Sequence, residues 1–127
     1  MARVVLDASA ILAVFLHEPG WDAVAEQMRE AAISAVNFAE VLSTLSDHKA
    51  PDEVVQMARR ALQHLVVPFD HAMALRTAEL RRATRTRGLS LGDRACLALA
   101  LTESLPVLTA DRQWRDLGLR LDIRVIR

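Results

Sequence analysis

The sequence predicts an α/β fold in which a parallel sheet is covered on both faces by helices. Short, apolar, β-branched segments alternate with longer segments of helical periodicity, the pattern of strands buried on both faces. The 127 residues match the length of one domain. No internal repeat or low-complexity linker divides them, so residues 1–127 are expected to form a single unit. Apolar residues make up 52% and charged residues 25%, which excludes a disordered chain. A chain this long buries about two-thirds of its unfolded surface, enough for a core without disulfides or structural metal.

The first strand is Arg3–Asp7 (RVVLD). Ala8–Leu16 follows as a helix and stops at the Glu18-Pro19-Gly20 turn. Trp21–Ala31 is amphipathic, with Val24 and Met28 on one side, and Ala32–Val36 is a second strand. A helix runs from Asn37 to about Asp47, and Pro51 suits the first turn of the next, which extends toward Leu65. Leu65–Pro68 makes a third strand. Asp70 opens a longer helix ending at Gly88, the residue type favoured just past helix C-termini. Leu91–Ser104, rich in alanine and leucine, leads into a fourth strand, Pro106–Thr109. A short helix, Asp111–Leu117, and a fifth strand, Ile123–Ile126, complete the chain.

Sixteen basic residues balance sixteen acidic ones, so overall charge gives no argument for nucleic-acid binding. Fifteen of the sixteen are arginine, whose planar fork binds phosphates bidentately. Arg76, Arg81, Arg82, Arg85 and Arg87 fall close together, with Glu79 the only acid among them. A solvated helix face is the plain reading; an RNA-binding stripe over Arg81, Arg82 and Arg85 is the functional one. The single cysteine, Cys96, permits neither an internal disulfide nor a cysteine-based zinc site and is expected as a small buried hydrophobe. The four histidines show no metal-binding spacing. Without a G-x-S-x-G elbow, a P-loop or a G-x-G-x-x-G, serine hydrolases, NTPases and dinucleotide enzymes have no support. No apolar stretch approaches the about 20 residues of a membrane span, and no secretory signal is visible. A soluble, cytoplasmic domain without a membrane partner is expected.

Four carboxylates occupy comparable places in the alternation. Asp7 closes the first strand, Glu40 lies in the first turn after the second, Asp93 in the first turn of the Leu91 helix, and Asp111 two residues beyond the fourth strand. Helices of a parallel sheet run antiparallel to the strands, so all four acids project toward the edge where such folds bind ligands. Each also has an ordinary explanation. Asn37-x-x-Glu40 and Ser90-x-x-Asp93 resemble capping boxes, and Asp7 and Asp111 suit N-caps. The conjunction outweighs the single explanations, because four converging acids repel and a bound cation resolves the repulsion. All-oxygen donors point to Mg²⁺ or Mn²⁺, which activates water and stabilises charge on a phosphoryl oxygen. Asp7 and Asp93 are the expected direct ligands. Glu40 and Asp111 stay open between binding a second ion and orienting the attacking water. The Ser9 and Thr109 hydroxyls lie near the same edge, either to hydrogen-bond the carboxylates or simply as a helix start and a strand end.

At these residues a resemblance appears. VVLDASAILAVFL (Val4–Leu16), SAVNFAEVLSTL (Ser34–Leu45), LSLGDRACLALAL (Leu89–Leu101) and PVLTADRQW (Pro106–Trp114) resemble the PIN-domain family. More narrowly, the chain is similar to the VapC toxins of bacterial type II toxin–antitoxin pairs. The likeness spans almost the whole chain, Ser46–Arg87 carrying little motif. It implies a Mg²⁺-dependent endoribonuclease with Asp7, Glu40, Asp93 and Asp111 catalytic, and a three-layer α/β/α sandwich with strand order 3-2-1-4-5. It also implies a homodimer, a cognate antitoxin that covers the site, and operator DNA bound through the antitoxin. Two other classes stand beside it. One is a catalytically inactive interaction domain whose acids merely cap helices. The other is an aspartate-based phosphoryl-transfer protein, which lacks the second aspartate two residues after Asp7 and has only Lys49 as lysine.

Overall fold

The computed structural model describes residues 1–127. Five short strands, β1 (Val4–Leu6), β2 (Ala31–Ser34), β3 (Val66–Val67), β4 (Val107–Thr109) and β5 (Ile123–Val125), form one sheet. The order is β3-β2-β1-β4-β5 and every pairing is parallel. The helices are α1 (Ala8–Leu16), α2 (Trp21–Gln27), α3 (Ala35–Asp47), α4 (Asp52–Leu62), α5 (His71–Thr84) and α6 (Leu91–Glu103).

The pleat sends alternate strand residues to opposite faces, and both faces are buried. Val4, Leu6, Ala31, Ile33 and Leu108 join a cluster with residues of α1–α4. Val5, Ala32 and Val107 join the opposite cluster, with residues of α5 and α6 and the fully buried Trp114. The result is the expected three-layer α/β/α sandwich. None of its helices is long and apolar enough to cross a membrane.

The departures from expectation lie at element boundaries. The Trp21–Ala31 helix stops at Gln27, passes through a 3₁₀ turn at Met28–Glu30, and Ala31 already belongs to β2, in register with Val4. Alanine's helix preference yields here to sheet pairing. β2 ends at Ser34, whose hydroxyl accepts the Val36 N–H at 3.2 Å and caps α3. The helix therefore starts at Ala35, two residues before the expected Asn37, and Glu40 stands in its second turn rather than its first. β3 covers only Val66–Val67, because Pro68 has no N–H for the ladder. α5 ends at Thr84, and Gly88, at φ 69°, belongs to the following turn.

α1 is apolar around its circumference, and much of that surface is used within the chain. Ala10, Ile11 and Ala13 are buried, while Leu12, Val14, Phe15 and Leu16 pack half-buried against the same core. The corner between α1 and α2 turns on Gly20, at φ 91°, where a β-carbon would collide with the Ile126 carbonyl.

Candidate functional site

β1 and β4 are neighbours although α1–α6 separate them in sequence. Between such strands an open α/β sheet leaves its ligand-binding crevice. Asp7 leaves β1 at this point, and Asp111 follows β4 by two residues. α3 starts directly from the end of β2, and α6 leads into the start of β4. The N-terminal parts of both helices, with Glu40 and Asp93, thus face the same edge.

Asp7 is 4% exposed. Its carboxylate accepts the Ala10 N–H at 2.9 Å, capping α1. It also accepts the Ser9 hydroxyl, 2.8 and 2.9 Å from its two oxygens, and the Thr109 hydroxyl at 2.8 Å. Those hydroxyls are themselves held by the exit of β4. Ser9 Oγ accepts the Ala110 N–H at 2.9 Å, and Thr109 Oγ1 accepts the Asp111 N–H at 3.0 Å. The segments bearing Asp7 and Asp111 are thus one hydrogen-bonded unit. Burial pushes the Asp7 carboxyl up to about 6; the Ala10, Thr109 and Ser9 hydrogen bonds oppose that rise, and the nearby Asp93 charge adds to it.

Asp93 completes a capping box. Ser90 Oγ accepts the Asp93 N–H at 3.1 Å, and Asp93 Oδ2 accepts the Ser90 N–H at 2.9 Å. Asp111 caps the 3₁₀ turn Arg112–Asp116 by accepting the Gln113 N–H at 2.9 Å. Arg87 anchors that turn by donating to the carbonyls of Asp116 and Gln113.

Glu40 is held differently. The Asn37-x-x-Glu40 capping box does not form, because Ser34 takes the cap and Asn37 lies inside α3. Asn37 Nδ2 instead donates to Glu40 Oε1 at 2.9 Å and to the Gly92 carbonyl at 3.0 Å. Glu40 lies directly against Gly92, in the space a β-carbon would fill.

Cys96, one turn after Asp93, is fully buried as expected. Burial raises its thiol pKa well above the ordinary value, and the charges of Asp7, Asp93 and Glu40 raise it further. The charges of Asp7, Asp93 and Glu40 are thus all felt at one buried thiol beneath the sheet edge. No three acidic, imidazole or thiol side chains stand close enough to hold an ion among themselves. The edge is an open set of oxygen donors, which suits a hard divalent ion that keeps several waters and takes one or two carboxylates. The four histidines are exposed, as expected of surface positions.

Sequence reasoning missed two contributors, Asn37 as a link between α3 and α6, and Gly92. The available signal was a glycine inside the first turn of a helix, beside an expected ligand.

The exposed Arg81, Arg82 and Arg85 line a shallow recess with Leu75, Ala78 and Glu79. α5 runs antiparallel to α6, Arg76 near its start bonding Thr102 near the end of α6. The three arginines consequently lie toward the end of the helix pair where α6 begins. A second recess, walled by Ser9, Ala110, Asp111, Arg112, Gln113 and Arg127, opens beside Asp111.

A family profile described as PIN domain matches residues 4–119. Comparison with curated protein sequences finds no match. Among solved structures, the chain is similar to DNA-bound VapBC from Salmonella typhimurium, with a TM-score of 0.79, 17% identity and all of both chains covered. It is similar to a toxin–antitoxin complex from Klebsiella pneumoniae, with a TM-score of 0.73, 19% identity and 98% of each chain covered. It is also similar to VapC20 of Mycobacterium tuberculosis, a toxin that cleaves the sarcin–ricin loop (TM-score 0.69, 13% identity, 91% of this chain and 92% of that one). At these identities the likeness is one of fold.

Proposed function

The chain belongs to the PIN-domain family, and from that premise we propose that it is a Mg²⁺-dependent endoribonuclease, with Mn²⁺ able to substitute, acting as the toxin of a type II toxin–antitoxin pair. The observation that carries this reading is that Asp7, Glu40, Asp93 and Asp111 all lie at the sheet edge where β1 and β4 part, with Asp7 buried and tied through Ser9 and Thr109 to the exit of β4 and its carboxyl pushed up to about 6. A buried carboxylate beside like charges is a poor arrangement for stability and a good one for an ion. Asp7 and Asp93 hold it, and Glu40 and Asp111 either take a second ion or orient the attacking water. When bound, Mg²⁺ makes that water more acidic and offsets charge growing on the phosphoryl oxygen. Ser9 and Thr109 keep the Asp7 carboxylate aimed, each fixed by a backbone N–H of the β4 exit. The likeness to the Klebsiella toxin–antitoxin complex and to VapC20, which cleaves the sarcin–ricin loop, supports a cognate antitoxin and an RNA substrate, and the likeness to DNA-bound VapBC supports operator DNA engaged through the antitoxin; the homodimer is proposed from the family resemblance alone.

The test is direct. Purified protein should cut structured RNA with Mg²⁺ or Mn²⁺, stop when a chelator is added, and recover when the ion is restored. A folded protein that cuts no RNA with either ion would leave the interaction-domain reading in its place. Mapping RNA ends after a brief pulse of expression would identify the target.

Four acids alone would repel a polyanion, so the substrate needs cations nearby. The exposed Arg81, Arg82 and Arg85 supply them. Replacing Arg81, Arg82 and Arg85 with alanine should weaken RNA binding and reduce its salt dependence by about one released ion per lost phosphate contact. An unaltered salt slope would assign these arginines to a solvated face or to a protein interface.

A further inference from the structure

Asn37 is 1% exposed, yet nothing in the chain donates to its Oδ1. Its Nδ2 donates to two acceptors, Glu40 Oε1 and the Gly92 carbonyl. Turning the amide over would set oxygen against oxygen twice, so its orientation is determined. A buried amide whose own oxygen goes unsatisfied is costly to the fold, and an apolar side chain of similar volume would cost less. Across the contact, Gly92 occupies the first turn of α6, where glycine is a poor helix former. Its missing β-carbon is the space that the Glu40 carboxylate fills. Two residues, each unfavourable for its own helix, meet on one carboxylate.

We propose that Asn37 and Gly92 together position Glu40 beside Asp93 for the ion-dependent reaction. Asn37 bridges α3 to α6 and restrains one oxygen of Glu40, and Gly92 lets that carboxylate approach the helix that carries Asp93. Asn37 acts through Glu40 and touches neither ion nor substrate.

This inference rests on the nuclease reading, and one set of measurements separates the two. Wild type, Asn37→Ala, Glu40→Gln, their double variant and Gly92→Ala are assayed for RNA cleavage at saturating Mg²⁺. Each is also titrated with Mg²⁺ alone while the thermal midpoint is followed. Asn37→Ala should lower cleavage by about 10-fold or more and shift the Mg²⁺ dependence of the thermal midpoint to higher concentration. With Glu40 already replaced by glutamine, Asn37→Ala should cost no further activity, since nothing remains to be positioned. Gly92→Ala leaves Asn37 in place and favours the helix, so it should keep its ion-free thermal midpoint while losing activity comparably. Independent, multiplicative losses for Asn37→Ala and Glu40→Gln would overturn the proposal, as would a fully active Gly92→Ala protein. If wild type cuts no RNA, the nuclease reading fails. The Mg²⁺ titration then decides about Asn37: an Asn37→Ala midpoint that follows Mg²⁺ as wild type does, or no response in either protein, overturns the positioning role.

Discussion

Asp7→Asn and Asp93→Asn should each lower Mg²⁺-dependent RNA cleavage by at least about 100-fold, because an ion held by carboxylates supplies several kcal/mol of transition-state stabilisation. Neither substitution should unfold the chain. Asparagine is as good an N-cap as aspartate, so an amide oxygen at position 7 can still accept the Ala10 N–H that starts α1. An amide oxygen at position 93 can likewise still accept the Ser90 N–H of the capping box. What both variants lose is negative charge at the sheet edge, which is what an ion requires. The check is cleavage of one RNA over a range of Mg²⁺ concentrations, with far-UV circular dichroism alongside to confirm the fold. If both folded variants retain wild-type cleavage, these two acids do not hold the ion.

The placement of these acids was legible in the sequence because it depends on chain direction alone. An acid at the end of a parallel strand and one at the start of a returning helix must share an edge, whatever the packing. Boundaries were less legible where two residues competed for one role. Ser34 and Asn37 are both good N-caps, and Ser34 prevails because β2, paired with β3 through Ser34 and Val67, ends there. Ala31 is a helix former by preference and a strand residue by its pairing with Val4. Gly92 was legible only as an unusual glycine in the first turn of a helix, and its partner was not, since that lies in α3 packing across α6. That is a contact between residues far apart in the chain, which the local pattern does not name. The strand order was likewise carried by the family resemblance rather than by the spacing of the strands, which restricts topology without choosing one.

Asp7→Asn should also stabilise the ion-free protein, and the gain should depend on pH. The Asp7 carboxyl titrates near 6 in the folded protein, against 3.8 for the ordinary group. Folding therefore favours its protonated form. Its stabilising influence is complete below about pH 4, is lost as pH rises through about 6, and the ionised form at neutral pH costs the fold about 3 kcal/mol. Asparagine carries no charge at any of these pH values and removes that cost, offset in part because its amide nitrogen cannot accept the Thr109 hydroxyl as Asp7 Oδ2 does. With a chelator present, Asp7→Asn should melt above wild type by on the order of 5–10 °C at pH 7.5, and the two curves should converge toward pH 4. Other carboxylates titrate in both proteins, so the difference between the curves isolates Asp7. Added Mg²⁺ should then reverse the order by raising wild type, since an ion that binds only the folded state stabilises it in proportion to its occupancy, while the variant responds little. Parallel melting curves across this range would show that Asp7 is not destabilised by burial. A variant that gains as much from Mg²⁺ as wild type would place the ion elsewhere on the edge. Both results together would leave Asp7 as no more than the N-cap of α1, the ordinary role its position also allows.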